Sequence, residues 1–260
     1  MRRANAVVVA VVVALAALSP AAVSARPLRP RFEPTDLELE ESGVVDIDVQ
    51  MGMLQGPDGS RTLVPDFEID VGLLDNLELD LDGAFAVERA ANGQINTYDN
   101  LWLAAKVGIF DARDPRTGNA WALGLQLGPK LPVGRGFEGL GFESLVLLGF
   151  TRRRIHTVLN LGGFADADNG AGRPLGLQAG VDFTLDLDQS GDVSFDASLA
   201  GVYFVTTDPA QLLFSGGFTW AANEQLDVSV AGLVGFLPGS DRFGVLVGFS
   251  PKFRVLKPRH

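Results

Sequence analysis

DFEIDVGLLDNLELDLDGAF, residues 66–85, alternates acid and hydrocarbon without a slip. Six of its acids form two runs, Asp66-Glu68-Asp70 and Glu78-Asp80-Asp82. Phe67, Ile69, Val71, Leu77, Leu79 and Leu81 fall between and beside them. Successive side chains on a strand point to opposite faces. The stretch therefore reads as two strands around a tight turn at 74–76, one face carboxylate and the other aliphatic. Such a sheet needs two surroundings, one dry and one wet.

Outward from this hairpin the same period continues. Alternating segments bounded by turn residues fall at 44–54, 62–73, 77–88, 100–110, 120–131, 140–150, 154–164, 175–186, 193–205, 211–220, 225–236 and 243–254. Most are about twice the 5–6 residues usual in soluble sheets. They suit a tilted strand crossing a bilayer, which takes about 9–11. Connections at 55–60, 90–100, 132–139 and 165–174 are long and rich in Gly, Asn and Asp, whereas 74–76, 152–154 and 188–192 are short. Short turns on one rim and long loops on the other are the pattern of bacterial outer-membrane barrels. The segment 111–119 breaks it, being long where a short turn is expected.

The N-terminus fits export. Arg2 and Arg3 precede the apolar run 6–18, and Val23-Ser24-Ala25 gives small residues at a cleavage site, as in a secretory signal peptide cut after Ala25. The reading is a signal peptide at 1–25, an N-terminal extension at 26–43, a barrel at 44–254 and a tail at 255–260. Without Arg2 and Arg3, 19 of the 21 basic residues remain against 32 acidic, a net charge near −13. Such a chain repels phosphate, so nucleic acid is not an expected partner. There is no cysteine and there are two histidines, so neither disulfides nor a conventional zinc site is expected. No cofactor is implied.

The remaining strands repeat the two-faced pattern. Asp46, Asp48 and Gln50 oppose Ile47, Val49 and Met51; Gln178, Asp182, Thr184 and Asp186 oppose Leu177, Val181, Phe183 and Leu185. Phe243, Val245, Val247, Phe249 and Phe253 share one face of the last segment. Backbone groups in hydrocarbon must all be paired, so a lipid-facing sheet has to close. The expected fold is all-β: one closed antiparallel transmembrane β-barrel of about 12 strands, with the first strand beside the last and the acids inside. Phe85, Phe110, Phe150, Phe164, Phe204, Trp220 and Phe236 lie near strand ends and read as aromatic girdles at the two membrane interfaces.

RFEPTDLELEESGVVDIDVQMGMLQG (31–56) with VPDFEIDVGLLDNLELDLDGAF (64–85), and the hairpin GFTWAANEQLDVSVAGLVGF (217–236), resemble the bacterial outer-membrane barrels named for the MetA pathway of phenol degradation. The resemblance implies a channel or porin-like role for small molecules, hydrophobic ones included. It supplies no binding residues. Outer-membrane barrels usually end on an aromatic residue read by assembly machinery, but here Phe253 is followed by RVLKPRH. Either that signal is internal or the last strand runs further.

The candidate site is the acidic set Asp46, Asp48, Asp66, Glu68, Asp70, Glu78, Asp80 and Asp82. On three adjoining strands about 4.8 Å apart these carboxylates repel one another unless cations or basic groups lie close. They read as a cation-favouring lumen wall, as oxygen ligands for a cation such as Ca²⁺, or as a polar wall balanced by Lys106, Lys130, Lys252, Arg254 or an arginine from a loop. No metal site is assigned. Arg152-Arg153-Arg154 reads as a charged turn. His156 shares a face with Asn160, and no serine is placed beside it, so no catalytic residue is assigned. The run 186–192 has acids two apart and a glycine like a calcium loop, lacks its closing Glu, and reads equally as a tight turn.

The functional expectation is an outer-membrane barrel that passes or binds small solutes, with lipid and barrel-assembly machinery as partners. The alternatives are a plugged structural barrel, a soluble periplasmic β-barrel or sandwich that binds lipid, and a barrel enzyme. The orientation of Ile69, Leu79 and Phe183 separates the membrane barrel from the soluble one.

Overall fold

The computed structural model describes residues 39–56, 59–90, 95–132, 138–166, 175–205 and 210–255. The expected signal peptide, most of the expected extension and the tail after Val255 lie outside these residues.

Twelve strands form in chain order: β1 Val44–Gln55, β2 Gly59–Leu74, β3 Leu77–Ala90, β4 Ile95–Arg113, β5 Ala120–Leu131, β6 Gly141–Arg152, β7 Ile155–Ala165, β8 Leu175–Asp186, β9 Val193–Phe204, β10 Gln211–Asn223, β11 Leu226–Gly235 and β12 Phe243–Arg254. Each pairs antiparallel with its neighbours, and β12 closes on β1 from Val44 opposite Arg254 to Gln55 opposite Phe243. Closure leaves no strand edge unpaired, the condition for a sheet in hydrocarbon. The even strand number brings both ends of the barrel to one rim, here the terminal rim.

The long connection expected at 111–119 is shorter than it reads, because β4 continues to Arg113. The remaining turn is closed by the Asp114 and Gly118 amides, which donate to Asn119 O and Asp114 O at 2.8 and 2.9 Å. The Asp114 carboxylate accepts from the Arg116 amide and the Thr117 hydroxyl, and these bonds hold it below the usual carboxylate range. The last strand ends at Arg254 and does not run on through Val255.

Register places the faces. In β2 the pairing skips between Leu63 and Asp66, leaving Val64-Pro65 opposite one residue of each neighbour. Proline has no N–H to give a ladder, so it sits where the ladder skips. The unbroken alternation of residues 66–85 begins on the far side of this bulge. From there, Asp66, Glu68, Asp70 and Gly72 face inward and Phe67, Ile69 and Val71 outward. Leu79 and Phe183 also share the outward set, opposite Val71 and Ala105 and opposite Thr157 and Ala197 respectively.

The outside is an apolar belt: Val146, Leu159, Leu161, Leu177, Phe218, Val230, Val245 and Phe249 are exposed there. A soluble barrel would put these faces in its core. Phe110, Trp121 and Trp220 stand outward toward the terminal rim, and Phe142, Phe236 and Phe243 toward the loop rim. Trp121 packs on Phe150 with centroids 4.5 Å apart. Two expected girdle residues are elsewhere. Phe164 and Phe204 have the parity of Asn160 and Ser198 and face the lumen, where their rings meet edge-on at 5.8 Å. Phe164 lies over Gly176, directly opposite it, where a Cβ would overlap the ring. The Phe85 side chain is outside the described set.

The lumen holds packed side chains among the described residues. Among its inward residues, Trp102, Ala104, Leu145 and Leu147 form a buried apolar cluster, and Gln126, Asn160, Ser229 and Ser250 are also buried. Many inward residues are small or polar, as the alternation suggests, and this apolar cluster is of the kind expected of a plugged barrel.

Candidate functional site

Three strand pairings build the acidic wall. Asp46 faces Asp70 across β1 and β2, and Asp70 faces Asp80 across β2 and β3. One step further from the terminal rim, Asp48 faces Glu68 and Glu68 faces Asp82; beyond that, Gln50 faces Asp66. Glu78 sits opposite Gly72. All eight predicted acids thus share one inward patch. Asp46, Asp48, Asp70, Glu78 and Asp80 are buried, while Asp66, Glu68 and Asp82 are part-exposed, so the wall opens away from the terminal rim.

Like charges opposite one another on neighbouring strands are unfavourable. Two lysines flank the rows. Lys106, opposite Glu78 on β4, places Nζ 3.0 Å from Glu78 Oε1, and both side chains are 0% exposed. Lys252, opposite Asp46 on β12, places Nζ 3.3 Å from Asp46 Oδ2 and 2.5 Å from Glu40 Oε1. Gln126 Nε2 donates to Asp80 Oδ2 at 2.7 Å. Of the four bases named from sequence, Lys106 and Lys252 balance the cluster. Lys130 instead pairs with Glu143 and Asp166 at 2.9 and 2.8 Å near the loop rim, and Arg254 pairs with Glu41.

Asp48, Glu68 and Asp70, and again Asp70, Glu78 and Asp80, each bring one carboxylate oxygen within 4.8 Å of the others. An all-carboxylate donor set suits a hard cation rather than a soft metal.

No family model matches the chain, and no curated protein does. Solved structures do. An outer-membrane channel from Pseudomonas putida F1 superposes with a TM-score of 0.61 at 11% identity, covering 86% of this chain and 100% of that one. The NanC porin gives 0.56 at 10% identity over 79% and 98% of the two chains. The KdgM porin in complex with disordered oligogalacturonate gives 0.53 at 8% identity over the same shares. The fold is that of porin-like outer-membrane barrels. At such identities the likeness is one of architecture.

The barrel holds further polar groupings that the sequence analysis did not single out. Near the loop rim, Glu143 accepts from Lys130 and from Gln178 at 2.5 Å, and Lys130 Nζ lies 5.2 Å from the Phe164 ring centre. Asp196 accepts from the Thr184, Ser194 and Thr219 hydroxyls at 2.8 to 3.0 Å. His156, directly opposite both Thr151 and Thr184, lies 3.2 Å from Thr151 Oγ1 through Nδ1 and 3.3 Å from Asp186 Oδ2 through Nε2. No serine stands in that trio. Glu143 and Asp196 were findable, since each carries the inward parity of its strand. Their partners were not, because alternation gives a face and not a neighbour.

The turn at 188–192 is an ordinary tight one. The Asp188 carboxylate takes the Asp192 amide at 2.9 Å and the Ser190 hydroxyl at 2.8 Å, and Gly191 supplies φ +74°. The Ser190 bond holds Asp188 below the usual carboxylate range. Arg152-Arg153-Arg154 turns β6 into β7 with all three side chains exposed, Arg153 at φ +57°.

Proposed function

We propose that this chain is an outer-membrane channel for small solutes whose lumen favours cations. The observation that carries it is the aligned carboxylate wall on β1 to β3. Its eight acids face the lumen, against the two lysines paired into it among the described residues. Fixed charge of one sign in a narrow, low-dielectric passage concentrates the opposite ion and repels its own. A polyanion such as the oligogalacturonate in the KdgM complex would be repelled by this wall.

The apolar belt and the girdles support an outer-membrane location with lipid as the surrounding partner, reached by export and by barrel-assembly machinery. The quoted residues of 31–85 and 217–236 support a finer kinship with the barrels named for the MetA pathway of phenol degradation. No step of chemistry on a solute is assigned.

Planar-bilayer reversal potentials under a salt gradient test the selectivity. Cation preference is expected, and it should weaken when Glu68 and Asp82, the part-exposed acids, are changed together to Gln and Asn. Anion preference in the unaltered protein would overturn the reading.

One observation favours a second reading. The inward Trp102, Leu145, Leu147, Gln126 and Asn160 are all 5% exposed or less, as in a barrel stoppered by its own side chains. In that case a barrel shown folded by heat-modifiability would give no single-channel current.

A further inference from the structure

Ahead of β1, residues 39–43 do not leave the barrel; they cross the terminal rim on its inner side. Gly43 N–H donates to Gly72 O at 2.8 Å, and the Ser42 hydroxyl donates to Leu73 O at 3.1 Å. The Glu40 amide donates to the Glu78 carboxylate, Lys252 Nζ grips Glu40 Oε1, and Arg254 holds Glu41. At the far end, the Leu39 side chain reaches the inner face of β4, where a Cβ on Gly108 would come 2.9 Å from Leu39 Cδ1. The segment thus spans β1 to β4, over the buried end of the acidic wall.

Gly72 records this crossing. A Cβ there would overlap the Glu40 and Glu41 carbonyl oxygens, and all three of its nearest atoms belong to that segment. The φ of Gly72 is not among the positive values. Its lack of a side chain therefore serves the close approach of a second backbone and not a special conformation.

We infer that residues 39–43 are a strap that gates the terminal rim, and that its displacement sets how much cation current the acidic lumen carries. The inference rests on the channel reading above. The strap binds the wall at Glu78, which also holds Lys106, and at Lys252, which also holds Asp46. Docked, it covers the buried end of the wall; displaced, it uncovers that end of the lumen.

Two variants test it in planar bilayers. Gly72→Ala adds one methyl under the strap and changes no charge. The paired change Leu39→Cys with Gly108→Cys bridges strap to wall in a chain that has no other cysteine. The expected results are a conductance at least about twofold above wild type for Gly72→Ala, and a conductance for the oxidised bridge at least about twofold below its own reduced form, with reversal potentials unchanged. Both are required. If neither variant alters a cation-selective current, the strap does not gate and the channel reading stands. If every form is folded and none conducts, the strap is not what closes the lumen and the channel reading falls with it. Should Gly72→Ala yield no folded barrel, the oxidised-against-reduced comparison decides alone.

Discussion

At the scale of single residues, the lumen is governed by what lies across the next strand. Lys106 and Glu78 are both fully buried, 3.0 Å apart. Removing one partner of a buried ion pair leaves an uncompensated charge and costs about 3–5 kcal/mol. Lys106→Met is therefore expected to lower barrel stability by about that amount, read from urea unfolding in lipid vesicles. Adding Glu78→Leu should recover much of the loss, because the stranded carboxylate is gone. The inward orientation of the eight acids was legible, since parity alone fixes it. That Lys106 meets Glu78 and Lys130 does not was not legible, because it depends on the register of β3 against β4 and of β5 against β6. The misplacement of Phe164 and Phe204 has a different cause. Closeness to a strand end suggested a girdle, whereas their parity with Asn160 and Ser198 put them inside.

At the scale of elements, the twelve strands were readable because their period rarely breaks. β4 was the least readable. It runs 95–113 where alternation suggested 100–110; within it Ala104 and Trp102 face inward and Leu101 and Leu103 outward with little contrast in polarity. The strap was invisible to period-2 reasoning, because the adjacent Glu40 and Glu41 break the alternation ahead of β1. Its docking should depend on pH. Burial pushes the Glu40 carboxyl above the ordinary carboxylate range; Lys252 on β12 opposes this, while Asp46 on β1 and Glu78 on β3 add to it. An acid whose pKa is raised on docking binds its proton more tightly docked than free. Docking is thus at full strength below the ordinary value and weakens as pH rises through the raised one. A spin label on Leu39→Cys is expected to be least mobile in mild acid and to gain mobility as pH rises through that window. Glu40→Gln should flatten the dependence; an unchanged profile in that variant would remove Glu40 as its source.

At the scale of the whole molecule, closure turns a local alternation into two environments. Each strand contributes its apolar face to one continuous outer belt, and β1 meeting β12 leaves no edge. This much follows from the sequence, because strand length, period and even count all demand it. The packing of the lumen does not, because Leu145 and Leu147 alternate with Val146 and Leu148 and neither face announces itself. The outer belt decides between lipid and water as the surroundings. Leu161, at mid-height of β7, is 62% exposed and is flanked by the exposed Leu159, Val146 and Leu177. An exposed leucine on a soluble barrel tolerates arginine within about 0.5 kcal/mol. On the lipid face near the bilayer midplane the same change costs about 2–4 kcal/mol. Leu161→Arg is therefore expected to lower the stability of the barrel refolded into vesicles by about 2–4 kcal/mol, with a smaller loss for Phe243→Arg near the loop rim. Equal, near-zero losses at both positions would mean that the belt faces water and that the apolar exterior needs a partner other than lipid.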